Sequence, residues 1–384
     1  MTDRATPLAE AVAAAGLDLY LVTDLLNVEY LTGFTGTNGA CLVGEGRRRF
    51  LTDFRYAERA EAETTGWDVT IVKGEWLAGL AAELEGRVGF EDDHVSVKTA
   101  RQISERLPEG AELVESGGKV EQLRRIKDPA ELEAIAAAAE LTDRIYFEAI
   151  ERGMSGRTEL DVAEFAVARM REAGAEPSFP PIVAAGPNGA LPHAEPGERV
   201  IGKGELVVFD MGSKLDGYCS DCTRTFATGE LDPKAAEIYE VTLEAQLAAL
   251  DGIRAGVSAS GVDRIARDII DRAGFGEHFG HGLGHGVGIE IHEAPRLGPR
   301  SEDLLMAGDV VTVEPGIYLP GEAGVRIEDM VVVGEDGISR NFSTLDKNTG
   351  AEVWVRQPTD PAGGSLGNIQ KVATVYFDGM VYVG

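Results

Sequence analysis

The sequence predicts an α+β protein, with a domain of two similar halves standing behind a separate α/β domain. Three observations predict it. Residues 1–120 alternate short helical and strand-like patterns. Two later stretches, 150–174 and 252–274, resemble one another: each is a helix end, a G-x-S turn, a second amphipathic helix and a terminating glycine, Gly174 or Gly274. Each stretch is followed by apolar, strand-like runs that carry carboxylates or histidines.

In chain order, a helix near residues 8–15 leads into the apolar strand LDLYLVT. Residues 27–39, NVEYLTGFTGTNG, read as turns, and CLVG with RRRFLTD alternates as a hairpin. YAERAEAE reads as helix, VTIV and RVGFEDD as strands. His94, in EDDHVS, reads as a surface residue. The second domain opens near Ile126. Asp128 is placed to cap a helix, with Pro129 at its first position and Glu131 to complete a capping box. Leu132, Ile135, Ala139, Ile145 and Ile150 then recur at helical spacing. The long helix of the second half starts at Asp232 and Pro233, again a cap followed by proline. Two halves built alike would set a site between their sheets.

The stretch HGLGHGVGIEIHE, residues 281–293, holds His281, His285 and His292, three of the six histidines in the chain. They are interleaved with Gly282, Gly284, Gly286 and Gly288. A glycine in a helix interior costs about 1 kcal/mol relative to alanine. The expectation is therefore irregular or extended backbone packed close against its neighbours. The histidines point to a metal or a reacting substrate. Carboxylates flank them. The buried run 206–209 ends at Asp210, and Asp221 follows in a second strand with Thr223 and Thr225. An antiparallel hairpin brings the two carboxylates side by side. Facing carboxylates repel unless they are protonated or bridged by cations. VVTVEP puts Glu314 at the end of a strand, and GVRIED puts Glu328 and Asp329 in another β-type run. Burying a glutamate there is costly unless it is paired, and Arg326 is an available partner. Asp210, Asp221, His285, Glu314 and Glu328 form an oxygen-rich set, suited to a pair of Mn²⁺, Co²⁺ or Zn²⁺ more than to one tetrahedral zinc. Two metals about 3.5–4 Å apart can hold a hydroxide and polarise a carbonyl.

Composition narrows the function classes. With 384 residues, 43% hydrophobic and 26% charged, the chain reads as a globular protein of two or three domains. It has no apolar run of about 18 residues, and MTDRATPLAEAVAAAG is too polar for a secretory signal. A cytoplasmic protein is expected. A net charge of -29 argues against nucleic acid and against anionic membrane as partners. The basic residues are mostly arginine, a pattern that suits either a protein working in high salt or a merely acidic cytosolic enzyme. Three cysteines are too few for a disulfide framework. Cys219 and Cys222 have no second C-x-x-C to pair with and read as reduced thiols in a strand.

FDMG, YCSDCTRTF, HGLGHGVGIEIHE, TVEPGIYLPG and GVRIED resemble the pita-bread metallopeptidases, the family of Xaa-Pro aminopeptidase, prolidase and methionine aminopeptidase. NVEYLTGFTG and LTDFRYAERAE resemble the creatinase-type N-terminal domain of the proline-specific members, and RRIKDPAELEAI fits the link between the two. The resemblance covers residues 5–342. It implies a creatinase-type α/β domain at 1–122 and a pita-bread metallopeptidase domain at 123–342. It implies an Xaa-Pro aminopeptidase or dipeptidase that hydrolyses the bond between an N-terminal residue and proline. Two divalent metals are implied, first manganese, with cobalt or zinc as alternatives. Asp210 is then the terminal ligand of one metal, Asp221 and Glu328 bridge both, and His285 and Glu314 complete the other. A metal-bridging hydroxide attacks the carbonyl, and Glu314 shuttles a proton. His193, in LPHAEP, matches a catalytic, substrate-binding histidine. His292 matches the histidine that hydrogen-bonds the scissile carbonyl or the intermediate, and His281 one lining the proline pocket. Arg326 matches the arginine beside the last ligand, counted with the substrate-binding set. The implied partner is a peptide with proline second, and the implied assembly is a homodimer.

Two other readings share the fold: a metal-free creatinase-like hydrolase and a non-catalytic binding scaffold. Both predict disrupted ligands, which this sequence does not have. The extra N-terminal domain disfavours a methionine aminopeptidase. After NFS the resemblance ends. LDKNTGAEVW and ATVYFDGMVYVG resemble one repeat of a quinoprotein-type β-propeller, and one blade cannot close a propeller. For 343–384 the expectation is an atypical tail, with no quinone cofactor, that packs poorly on the core.

Overall fold

The computed structural model describes residues 3–342 and the backbone of two short strands, Val375–Phe377 and Met380–Tyr382. Apart from those strands, the expectations for the tail lie outside the described residues. The chain divides into two compact units, Met1–Arg124 and Arg125–Gly384. Among the described residues no helix is long and apolar enough to cross a membrane.

The first unit is built on a six-stranded mixed sheet. Its order is Asp68–Ile71, Arg47–Thr52, Ala40–Gly44, Leu19–Val22, Arg87–Phe90, Glu112–Glu115. Leu21, Leu42, Leu51, Val88 and Ile103 meet in its core. The reading of 27–39 as turns is corrected. Leu25–Thr32 is a helix, started by the Asp24 side chain accepting from the Leu26 N–H and stopped by Gly33 in the left-handed region. It is only two turns long, and one of its buried polar residues, Asn27, donates to the Glu91 carboxylate rather than to solvent. A periodicity argument has too few residues there to work with. His94 is exposed, as expected.

In the second unit the helix Pro129–Arg152 opens on the expected capping box between Asp128 and Glu131. The second helices of the two halves stand 100 residues apart: Glu159–Glu172 answers Ala259–Arg272. Thr158 and Ser258 cap these helices, and Gly156 and Gly256 precede them with positive φ. The G-x-S pairing read from sequence is therefore out of register in the first half. The turn equivalent to Gly256 and Ser258 is Gly156 and Thr158, not Gly153 and Ser155. Capping needs a side-chain oxygen that accepts from the first turn, and threonine serves as serine does, so matching on serine alone slips by one turn.

Each half has an antiparallel sheet. The first runs Ile182–Ala185, Leu206–Met211, Cys222–Ala227 and on to Met380–Tyr382 and Val375–Phe377. The second runs Glu293–Leu297, Gly284–Gly286, Val310–Val313, Asp329–Val333, Ile338–Asn341. Helices 129–152 and 159–172 pack on the first through Tyr146, Met170, Val207 and Phe209. The second pair of helices packs on the other sheet through Ile238, Ala266, Val311 and Val331. The glycine-rich stretch supplies the strand Gly284–Gly286. A Cβ on Gly284 would overlap the Thr312 carbonyl, and one on Gly286 the Ala294 carbonyl. Close backbone approach, anticipated from the glycine content, is what these two positions require.

Candidate metal centre

Asp210 sits on Leu206–Met211, directly across from Thr223. Asp221 falls just before the strand Cys222–Ala227 rather than within it. Being two residues from Thr223, it shares that residue's face of the sheet. His285 is the middle residue of Gly284–Gly286. Glu314 follows Val310–Val313, where Pro315 stops the ladder. GVRIED, read as one run, is two strands, Ala323–Arg326 and Asp329–Val333, and Glu328 lies in the break between them. Its N–H donates to the Thr223 carbonyl at 3.1 Å, which ties the second half to the first at this point. The ligand-type atoms of Asp221, His285 and Glu328 come within 4.8 Å of one another.

Hydrogen bonds orient each of these groups. His285 Nδ1 faces the Gly286 carbonyl at 3.0 Å and donates to it, so Nε2 is the nitrogen turned to the carboxylates. It lies 3.5 Å from Asp221 Oδ2 and 3.3 Å from Glu314 Oε1. Thr312 Oγ1 donates to Glu314 Oε1 at 3.2 Å and accepts from the His285 N–H at 3.1 Å. Thr223 Oγ1 donates to Glu328 Oε2 at 2.8 Å and accepts from Arg326 Nε at 3.1 Å. Arg326 is ion-paired with Asp210, and its Nη1 donates to the Tyr318 hydroxyl at 3.0 Å and the Pro192 carbonyl at 3.1 Å.

Two carboxylate oxygens, Asp210 Oδ1 and Glu328 Oε1, are buried with no hydrogen-bond partner. Burial, and then the charges of Glu328, Asp210 and Glu314, push the Asp221 carboxyl well above the usual range. Glu328 is pushed up likewise, by burial and then by Glu314 and Asp210. Asp210 is also raised by burial, although Arg326 opposes the shift. Burial acts on Glu314 in the same sense, but the hydrogen bond and charge of His285, with His281 and Arg326 beyond it, outweigh it and hold Glu314 at about 2. An unmet buried oxygen costs about 1–3 kcal/mol, and more when charged. Cations of high charge density are the partners such a cluster calls for, and four carboxylates with one imidazole are a donor set that fits hard divalent metals.

The cluster forms the floor of a cavity of about 570 Å³. His193, His281, His292 and Arg326 line it, together with Phe179, Pro180, Pro181 and Pro192. Every site residue singled out from sequence thus borders one cavity. His281 Nδ1 donates to the Gly282 carbonyl at 2.7 Å, and Nε2 accepts from the Tyr318 hydroxyl at 2.9 Å. Burial lowers the His281 pKa, which favours this neutral ring. His292 stacks edge-on against His285, ring centroids 4.5 Å apart. Its side chain reaches solvent, yet partial burial, with His285 and Arg296 beside it, lowers its pKa to about 4. Sequence reasoning missed Tyr318, whose signal is a single hydroxyl in the otherwise apolar strand Gly316–Leu319. A larger open depression, about 770 Å³, lies by Arg157, Lys203 and Thr228, away from every candidate residue. Cys219 and Cys222 are buried free thiols.

Comparison with known proteins gives two family matches. The model of metallopeptidase family M24 matches residues 133–335, and that of the creatinase/prolidase N-terminal domain matches residues 4–126. A relative from Pyrococcus furiosus, an Xaa-Pro dipeptidase, is 35% identical over 347 residues, which is 90% of this chain and 99% of the relative. The solved structure of an Xaa-Pro dipeptidase from Bacillus anthracis superposes with a TM-score of 0.85 at 39% identity, covering 88% of this chain and 96% of that one. An X-Pro aminopeptidase from Thermotoga maritima gives 0.82 at 35% identity, covering 90% and 98%.

Proposed function

The chain belongs to metallopeptidase family M24, and from that premise we propose that it removes an N-terminal residue that precedes proline, using two divalent metal ions. It is a hydrolase with a pita-bread catalytic domain, which we place at 123–342 behind a domain at 1–122. One observation carries the finer reading. Five side chains of metal-ligand type line one cavity, with two buried carboxylate oxygens unpartnered and His285 Nε2 aimed at two carboxylates.

In this reading Asp210, Asp221, His285, Glu314 and Glu328 would hold the two metals, Asp210 serving one, His285 and Glu314 the other, and Asp221 and Glu328 both. Manganese is the first choice, with cobalt and zinc as alternatives. Bound there, the cations would supply Lewis-acid polarisation of the scissile carbonyl and acidify a water. Arg326 holds Asp210 in place through their ion pair. Glu314, ionised because its pKa is about 2, accepts a proton at a carboxylate oxygen from the attacking water. It returns that proton to the proline nitrogen as the C–N bond breaks. His292, neutral near pH 7, donates its N–H to the oxygen on which charge develops. His193 and His281 hold the substrate from the cavity wall. Phe179, Pro180, Pro181 and Pro192 offer apolar surface for a pyrrolidine ring and exclude bulk water. A homodimer is proposed on the resemblance alone.

The test is release of the first residue from Ala-Pro, Ala-Pro-Ala and Ala-Ala-Ala by metal-stripped protein, with Mn²⁺, Co²⁺ or Zn²⁺ restored in turn. Metal-dependent cleavage only before proline is expected, and the two proline substrates rank dipeptidase against aminopeptidase use. Equal cleavage of Ala-Ala-Ala would refute the proline specificity.

A further inference from the structure

The stretch that carries His285 and His292 has little of its own to hold it in place. Between Gly286 and Glu293 the chain leaves the sheet and makes a series of bends without regular structure. Its first part is gripped from outside: the Cys219 N–H donates to the Gly288 carbonyl at 2.8 Å, and Lys214 Nζ to the Ile289 carbonyl at 3.1 Å. The return is governed by Glu293. Its Oε1 accepts the Glu290 N–H at 3.2 Å, and a Cβ on Gly288 would collide with its carboxylate, so the loop is folded tightly around this group. Glu293 also pairs with Gly286 across a bulge, after which His285 faces Arg296.

That carboxylate is in turn fixed by Lys127. The Lys127 Nζ to Glu293 Oε2 distance is 3.0 Å, and the two side chains are 1% and 6% exposed. Lys127 is anchored independently of the loop. Its Nζ donates to the Arg125 carbonyl at 3.2 Å, its N–H to the Gly308 carbonyl at 3.3 Å, and Arg125 is ion-paired with the buried Asp309. Glu293 points inward to Lys127, while His292, one residue before it, lines the cavity.

We propose that the buried Lys127–Glu293 ion pair is a positioning device for the reaction, setting where His292 stands over the metal-ligating cluster. This rests on the reading of His292 as a donor to the reacting carbonyl. Lys127 and Glu293 touch no substrate; they act through the loop. Misplacing a catalytic group by about 1 Å can cost about 100-fold in rate, so the effect belongs in kcat rather than KM.

The experiment compares wild type with Lys127→Met/Glu293→Met, which exchanges the buried pair for apolar side chains, a change often tolerated by stability. Lys127→Gln is the second variant, and Lys127→Arg tests rescue by a conserved charge. Three quantities are read on metal-loaded protein: kcat and KM for Ala-Pro, bound metal per chain, and hydrogen exchange by mass spectrometry. For the double variant and Lys127→Gln, kcat is expected to fall about 10- to 100-fold with KM within about threefold. Metal content should stay unchanged, and faster exchange should be confined to 287–293. Lys127→Arg is expected to recover most of kcat. Unchanged kcat and unchanged exchange at 287–293 in either variant would overturn the proposal, as would faster exchange spread over the whole second unit, the mark of a merely structural role. If wild type cleaves neither Ala-Pro nor Ala-Pro-Ala, the proposed function falls, and exchange at 287–293 alone decides whether the pair positions the loop.

Discussion

At Asp221 and Glu328, burial and the charges of neighbouring carboxylates hold two carboxyls well above the usual range in the metal-free protein. A carboxyl raised in this way stabilises the fold fully only below its unfolded pKa, near 4, and that contribution is lost as pH rises through the folded value. The lowered His281 and His292 act in the opposite sense, but only below their ordinary pKa of about 6.5. Metal-stripped protein should therefore melt at progressively lower temperature as pH climbs from about 6.5 toward 8. Glu314 acts with the opposite sign: its contribution is present above its ordinary pKa and is lost only as pH falls toward about 2, below this window. Metal at about 100 times its Kd adds about 2.7 kcal/mol, and at one fixed metal concentration the gain should be larger at pH 8 than at pH 5, since deprotonated ligands bind more tightly. Thermal melts with and without Mn²⁺ check this, and parallel pH profiles would refute it. Asp221→Ala sharpens the test because it removes a proposed bridging ligand and a repelling charge together. Its activity should fall more than about 100-fold, since even outer partners of a ligand cost 10- to 100-fold. Its metal-free form should melt above metal-free wild type at pH 8. Retained turnover with two metals bound would sink the ligand assignment. At this scale the sequence was most informative for charged groups in apolar runs, where Asp210, Glu314 and Glu328 stand out. It did not show the roles of Tyr318, Thr223 and Thr312, because a hydroxyl within a strand looks the same whether or not it aims a ligand.

Elements show the same division. Helices with a cap followed by proline, Pro129–Arg152 and Pro233–Gly252, were legible in full because the capping chemistry is local. The helix Leu25–Thr32 was not, since its polar residues bond within the unit rather than marking a solvent face. The breaks that free Asp221 and Glu328 from their strands also escaped notice. Pleating alone does not say where a ladder ends, and it is tertiary pairing, such as the Glu328 N–H to Thr223 bond, that ends it there. The glycine-rich stretch was legible as close-packed backbone, and this gives a prediction at its own scale. Gly284→Ala sets a methyl group against the Thr312 carbonyl, a backbone atom that cannot swing aside. Strand Gly284–Gly286 must then shift, and overpacking of this kind costs about 1–3 kcal/mol. Since His285 is the next residue, metal affinity should fall along with stability. Urea unfolding and metal titration of Gly284→Ala measure both, and a variant as stable and as metal-avid as wild type would show that the strand has slack.

Over the whole molecule the acidic excess sets two electrostatic effects against each other. The chain has 65 acidic and 36 basic residues, a net charge of -29. Many of the arginines are engaged in surface pairs, among them Arg48 with Asp3, Arg87 with Glu112 and Arg152 with Asp161. Exposed pairs of this kind are worth about 0–1 kcal/mol each and are weakened by salt. The unpaired acidic remainder repels itself over longer distances, which salt relieves as the screening length shortens from about 10 Å at 0.1 M to about 3 Å at 1 M. Short contacts survive screening better than long-range repulsion does, so relief should outweigh loss. Melting temperature in chelator, where the metal cluster cannot contribute, is expected to rise between 0.1 and 1 M KCl. The same titration in sodium sulfate separates screening from surface exclusion, which sulfate adds. If the protein melts lower in 1 M KCl, the arginine pairs govern its stability, and the acidic composition is that of an ordinary low-salt protein. If it melts higher in KCl by nearly as much as in sulfate at equal ionic strength, relief of repulsion is the cause, and the scarcity of lysine beside so many carboxylates fits a chain adapted to concentrated salt.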